Sequence, residues 1–273
     1  MATDATFQRA RRPEQKQQRQ DAILDAARQL ALRDGVRNVS LTDIAEKVGI
    51  HKSALLRYFE TREQIFLELT AQSWLGWAEA LHAGLDGGSP GSAGLVADVA
   101  ARSFADRPLL CDLIPHTALN HERHVSASAV RRYKLPSLGA ISDAADVVHR
   151  VLADLTEGEC REFISTMANL AGSLWQIANP PPALARLYAS DPDLALACVD
   201  LLPRLRRTAV VLLAGMVPSR SEAQDRRAGI ARQEAQPRWT GLDGALRLPA
   251  ASVTQTSMES ERGWAVPQPS LNG

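Results

Sequence analysis

"LTDIAEKVGIHKSALLRYF", Leu41 to Phe59, is the stretch whose reading decides the fold. Its apolar residues Ile44, Ala45, Val48, Ile50 and Leu55 are the positions that two short, steeply crossing helices would bury against each other and against a preceding helix. Ala45 is small where the two approach, and Gly49 supplies the turn between them. Ser40, with Asp43 three residues later, makes a variant capping box that starts the first of these helices at Leu41. The second spans Lys52 to Tyr58 and carries Lys52, Ser53, Arg57 and Tyr58 where a core-facing helix would carry aliphatic residues. Something outside the protein is expected to meet that face.

Working outward, Ile23, Ala27, Leu30 and Ala31 repeat at helical spacing with polar residues between them. They predict a first helix from about Pro13 to Asp34, capped by Gly35 in the left-handed conformation. Thr61 with Gln64 forms another capping box, and a long helix should run from Arg62 to about Leu85. "DGGSPGSAG", Asp86 to Gly94, reads as a loop between domains; it follows no strand and carries no Lys-Ser/Thr, so it is not a phosphate cradle. Beyond it prolines punctuate helical segments, of which Thr156 to Ala178 and Asp193 to Met216 are the strongest. β-branched alternation and hairpin dipeptides are scarce, so the chain reads as all-α. From Ser219 the composition turns to Arg, Gln, Ser, Pro and Gly, which cannot bury enough surface to offset the entropy of ordering. The expected plan is a flexible basic arm over 1–12, a three-helix unit over 13–61, a helical domain over 62–218 and a disordered tail over 219–273.

Two short helices joined at glycine, the second thrust outward, form a helix-turn-helix, whose N-terminal side chains can reach base edges in the major groove. An ordinary helical bundle does not account for Lys52, Arg57 and Arg62 gathered beside aromatic residues. Overall charge carries none of this, because 31 basic residues balance 31 acidic ones; any basic surface is local. One such place is the N-terminal arm, where Arg9, Arg11, Arg12, Lys16 and Arg19 face only Asp4 and Glu14. The composition, 45% hydrophobic and 23% charged, is that of a globular protein. The first residues lack the apolar core of a secretory signal, and the longest apolar run, Ala209 to Val217, is about half of the ~20 residues a membrane span needs. A cytoplasmic protein is expected. Cys111, Cys160 and Cys198 are isolated and read as small buried residues of a reducing compartment.

Ser40 to Arg62, "SLTDIAEKVGIHKSALLRYFETR", resembles the DNA-binding signature of the tetracycline-repressor (TetR) family of bacterial regulators. The Ile44-Ala45 pair, Gly49 followed by an aliphatic residue, Leu55, Phe59 and Arg62 fall at the family's spacings, and the likeness covers about fifty residues from the helix around Ala22 to the start of the long helix at Arg62. The chain departs from the pattern at Leu56, usually tyrosine, at Tyr58, usually histidine, and at His51, often a Ser or Thr cap. The resemblance implies an all-helical, homodimeric, ligand-responsive transcription regulator. Its N-terminal helix-turn-helix domain binds a double-stranded operator, and a long helix joins it to a ligand-binding and dimerisation domain. A repressor released by a small molecule is the expectation.

On that footing, Lys52 and Arg57 can donate to guanine, Ser53 to several base edges, and Ala54 or Leu56 can touch a thymine methyl. Thr42, Tyr58 and Arg62 would hold phosphates. Dimerisation is expected through segments 156–178 and 193–216, where Phe163, Met167, Leu170, Leu174 and Ile177 form one apolar stripe. Leu194, Val199, Leu201, Leu205, Leu212 and Leu213 form the other. Phe104, Leu113, Thr117, Met167 and Trp175 are candidates for an apolar ligand pocket. The alternative is a helical metal-binding protein or enzyme using His116, His121 and His124, but the set lacks a thiolate partner and surface or capping roles suit these histidines better. No nucleophile–base pair or cofactor fingerprint points to an enzyme, and neither cofactor nor metal is expected.

Overall fold

The computed structural model describes residues 4–216, and among them the chain is built from ten α-helices and three 3-10 turns with no strand. α1 (Asp4–Asp34) is followed by the 3-10 turn Val36–Asn38, α2 (Leu41–Val48), α3 (Lys52–Leu55) and α4 (Arg62–Leu85). Then come α5 (Ala93–Ala105), α6 (Pro108–Leu119), the 3-10 turn His121–His124, α7 (Ala127–Val151) and α8 (Glu157–Ala178). α9 (Pro182–Ser190), a 3-10 turn over Pro192–Ala197 and α10 (Leu201–Met216) complete it. The tail expected from Ser219 lies outside the described residues. α1 starts at Asp4, ahead of the expected Pro13, because the preceding Ala, Gln and Arg residues are good helix formers with no glycine among them. The stretch 4–12, expected as an arm, thus continues the helix.

Two apolar clusters organise these helices. In the first, Ile23, Ala27 and Leu30 of α1 pack with Ile44 and Ala45 of α2, with Leu55, and with Ile65, Phe66 and Leu69 of α4. The second gathers Trp77 and Leu81 of α4, Phe104 of α5, Val148 of α7, Phe163 and Met167 of α8, and Leu205 and Leu213 of α10. α4 therefore runs through both. α6 also bridges them, placing Leu109 and Leu113 in the first cluster and Leu110 and Cys111 in the second.

This corrects the reading of Asp86 to Gly94 as an interdomain loop. Leu85 before it and Val96 after it share the second cluster, and Gly91 N–H donates to the Val151 carbonyl at 2.7 Å, so the segment is a turn inside one core. Prolines also behave differently from expectation: Pro115 and Pro136 sit inside α6 and α7. Their missing N–H groups are offset by the tertiary packing of both helices. Gly172 of α8 lies where α8 crosses α6, and a Cβ there would stand 2.9 Å from Pro115 Cδ. The segment Asp193 to Met216 is not one helix but a 3-10 turn and α10, with Pro203 tolerated in the first turn of α10.

Burial divides each of the two stripes expected to dimerise. Phe163, Met167, Leu205 and Leu213 are fully buried in the chain's own core, Leu170, Leu174, Leu201 and Leu212 are partly buried against it, and Ile177 faces solvent. None of the described side chains of α9 is buried. Cys111 and Cys160 are buried, whereas Cys198 is exposed, against the expectation that all three lie inside. No helix among the described residues is long and apolar enough to cross a membrane.

Candidate functional site

The helix-turn-helix is assembled by local signals that the structure makes explicit. Ser40 Oγ accepts the Asp43 N–H at 3.2 Å and Asp43 Oδ2 accepts the Ser40 N–H at 2.8 Å, a reciprocal capping box. The Ser40 N–H foremost, and then the Ser40 side chain, hold the Asp43 carboxyl below its ordinary pKa. At the other end Gly49 takes φ 72, and its N–H bonds to Glu46 while the Ile50 N–H reaches back to Ala45. Those 5→2 and 6→1 bonds make a Schellman motif, which demands the left-handed conformation glycine supplies at least cost.

α3 is shorter than the expected Lys52 to Tyr58. After Leu55 the N–H groups of Arg57 and Tyr58 bond three residues back, to Ala54 and Leu55, so the helix tightens into turns. His51 provides no side-chain cap, and a helix this short has little cooperative support. Leu55 is the anchor, fully buried in the first cluster. Lys52, Ser53, Leu56 and Arg57 are exposed and Ala54 is half-buried, so the five expected base-reading residues share the outward segment. Leu56 stands 44% exposed, so its apolar side chain is available on the same outward face. Thr42 is exposed at the start of α2, and Tyr58 is half-buried against the first cluster.

Arg62 is used differently from its expected role as a phosphate holder. Its Nε and Nη2 donate to the Val39 and Val36 carbonyls, and Nη1 lies 3.3 Å from Glu63 Oε1. The guanidinium also sits 4.5 Å above the Phe66 ring. With all three nitrogens engaged inside the protein, Arg62 fastens the turn before α2 to α4. Similarly, Thr61 Oγ1 accepts the Gln64 N–H, but Gln64 Oε1 accepts from Glu60 N–H at 2.6 Å, so the expected reciprocal box is half formed.

Contacts from the C-terminal helices reach this unit at two further points. Ser126, the N-cap of α7, donates to Glu60 Oε1 at 3.1 Å in the loop that follows the α3 turns. Asp112 of α6 accepts the Val36 N–H at 2.7 Å through Oδ2 and Gln176 Nε2 of α8 at 2.8 Å through Oδ1. Sequence reasoning passed over Asp112; the available signal was a lone carboxylate in the apolar run "LLCDLIP".

The three histidines diverge. His121 is buried, not at the surface: its ring stacks on Phe66 with centroids 5.6 Å apart, and its Nδ1 is buried without a hydrogen-bond partner. Burial foremost, then the charge of Arg62 and the neighbouring His116, pushes its pKa down to about 3. His116 is also pushed down, chiefly by burial and against the pull of Asp112. His124 is exposed, and its Nδ1 lies 2.8 Å from the Asn120 carbonyl, the capping role expected of it. Among the described residues no group of three or more His, Cys, Asp or Glu side chains could hold a metal ion.

The five candidate pocket residues do not all share one core. Phe104 stacks on Trp77 at 4.7 Å and Met167 lies in the same core, while Leu113 belongs to the first cluster. Thr117 turns its hydroxyl to the Leu113 carbonyl at 2.9 Å. Trp175, partly buried against that same second cluster, also lines a cleft of about 640 Å³ between the end of α1, α6 and the end of α8, with Arg37, Asn38, Asp112 and Asn179.

Residues 23–69 match the family described as bacterial regulatory proteins, tetR family, and residues 71–220 match the tetracyclin repressor-like C-terminal domain. No curated protein matches the chain in sequence. Among solved structures, a TetR-family transcriptional regulator from Mesorhizobium loti is similar at 14% identity and TM-score 0.47, covering 74% of this chain and 96% of its own. FadR of Thermus thermophilus, a TetR-family repressor solved with lauroyl-CoA, is similar at 18% identity and TM-score 0.47, covering 73% and 96%. AmtR of Mycobacterium smegmatis is similar at 22% identity and TM-score 0.37, covering 72% and 94%. With both its DNA-binding half and its C-terminal domain matched, the chain belongs to the TetR family of bacterial transcriptional regulators.

Proposed function

We propose that the protein is a repressor that binds its operator as a homodimer and is released by a small molecule held in the C-terminal helices. The observation that carries the reading is the outward segment of Lys52, Ser53, Leu56 and Arg57, exposed side by side while Leu55 beneath them is fully buried. Lys52 and Arg57 serve guanine O6 and N7, Ser53 a base edge, and Ala54 or Leu56 a thymine methyl. Thr42 and the Tyr58 hydroxyl hold phosphates, fixing register without reading sequence. Arg62 serves the fold and not a phosphate, because its nitrogens donate to Val36, Val39 and Glu63.

In the proposed mechanism a ligand shifts α4 and α6, the two helices that share both apolar clusters, and so changes the separation of the two recognition segments. It can do so only through unequal affinity for the operator-bound and released states. The test is fluorescence anisotropy with DNA flanking the protein's own gene and with operator selected from randomised DNA, across a salt series. Arg57→Ala is expected to weaken operator binding by about 1–3 kcal/mol and to relax specificity at one position. Equal losses on operator and random DNA would reject Arg57 as a base reader.

A further inference from the structure

Val36, in the turn that feeds α2, is gripped at both of its backbone polar groups. Its N–H donates to Asp112 of α6, and its carbonyl accepts from Arg62 of α4, which also holds the Val39 carbonyl. Val36 is fully buried and the Asp112 side chain is only 13% exposed. Asp112 uses its other oxygen on Gln176 of α8, so one carboxylate ties the turn before α2 to two helices of the C-terminal domain. Gly35, with φ 84, shapes the chain so that the Val36 N–H meets that carboxylate.

We propose that Asp112 is the positioning residue through which the C-terminal domain sets the attitude of the helix-turn-helix. The inference rests on the operator-binding reading above. A backbone N–H bonded to a carboxylate is a strong, short tether, and leaving that N–H buried without an acceptor is costly. α2 begins at Leu41, shortly beyond the turn, and α1, α2 and the Leu55 anchor share one apolar cluster. A displacement of the Val36 peptide is therefore carried to Lys52 and Arg57 as a movement of the packed unit. Any ligand that alters the spacing of α6 and α8 pulls on Asp112 between Val36 and Gln176.

The test uses the full chain as wild type, Asp112→Ala, Asp112→Asn and Gln176→Leu. Each is measured for hydrogen exchange over residues 35–40, melting temperature, and affinity for selected operator and random DNA across a salt series. Asp112→Ala should speed exchange at Val36 and weaken operator binding about ten-fold, within the roughly 5–150-fold range of coupling between sites. Random-DNA affinity and the salt slope should stay unchanged, since no phosphate contact is lost. Asp112→Asn should hold operator affinity within about three-fold, because its amide oxygen still accepts the Val36 N–H and its NH2 can donate to Gln176 Oε1 once the exposed Gln176 amide turns over. Gln176→Leu removes only the tether to α8, from an exposed side chain, and should give an intermediate loss even if Asp112→Ala proves unstable. A merely structural Asp112 would lower operator and random binding together with the melting temperature. That outcome, or wild-type exchange and affinity in Asp112→Ala and Gln176→Leu, overturns this inference alone. A wild-type protein that enriches no sequence from randomised DNA overturns the operator reading and this inference with it.

Discussion

His121 is shut away from water against Phe66, and its pKa of about 3 leaves it neutral in the folded protein at any pH near neutrality. The unfolded chain takes up a proton at an ordinary histidine pKa of about 6.5. Between about 6.5 and about 3 the unfolded state binds one more proton than the folded state, so stability falls as the pH is lowered through that window. The slope from this residue is on the order of 1.4 kcal/mol per pH unit, and above the window it contributes no pH dependence. His121→Phe keeps an aromatic ring on Phe66 and removes the titration. Urea unfolding at a series of pH values should show the variant gaining on the wild type steadily from about pH 6 to pH 4; parallel curves would mean that His121 is protonated inside the fold. The sequence showed the histidine-rich segment but not this burial, because helical spacing says nothing about which ring a neighbouring helix covers. Arg62 was legible as a basic residue opening α4, yet its acceptors are the backbone carbonyls of Val36 and Val39, which leave no trace in a side-chain pattern.

Among whole elements, the ones whose ends are written in adjacent residues were readable in advance. The Ser40–Asp43 box and the Gly49 cap start and stop α2 near the expected places, since each uses only residues a few positions apart, and the Thr156–Glu159 box, which the sequence reading passed over, starts α8 in the same way. The prolines inside α6 and α7 were not readable, because what rescues those helices is packing from distant segments. The crossing of α6 and α8 shows the same dependence. A Cβ on Gly172 would stand 2.9 Å from Pro115 Cδ and 3.1 Å from Ile114 Cγ2, and the proline ring cannot rotate away. Alanine favours a helix interior over glycine by roughly 0.5–1 kcal/mol, whereas overpacking a core costs about 1–3 kcal/mol. Gly172→Ala should therefore lower stability by about 1 kcal/mol net. Gly139→Ala, in α7 with nothing within 4 Å of its added Cβ, should raise it by a few tenths or more. Thermal melts of the two variants side by side check the sign; a stabilising Gly172→Ala would mean that α6 and α8 can part without cost.

For the molecule as a whole, the all-α class and the placement of the DNA-binding half followed from one motif, while the assembly did not. Periodicity marks α8 and α10 as apolar, but does not say which apolar side chains the chain's own core covers. Leu205, Ala209 and Leu213 of α10 are fully buried in the chain's own core, and Val210 and Val211 beside them are 49% and 63% exposed. Ile177 of α8 is likewise 49% exposed. Apolar side chains left in water on the two helices proposed to dimerise are best covered by a second copy, and burying each stabilises by about 1.5–3 kcal/mol. Val211→Arg would place a like charge one turn from Arg207 in that contact, so it should halve the mass found by sedimentation equilibrium. Operator affinity should fall with it, because two half-sites can be bound together only by a pair. The single-chain fold should survive, since Val211 faces away from the core. A variant that keeps the mass of a dimer would move the interface off α10 and onto the end of α8 at Ile177 and α9, whose Leu184 and Leu187 are 37% and 47% exposed and none of whose described side chains is buried.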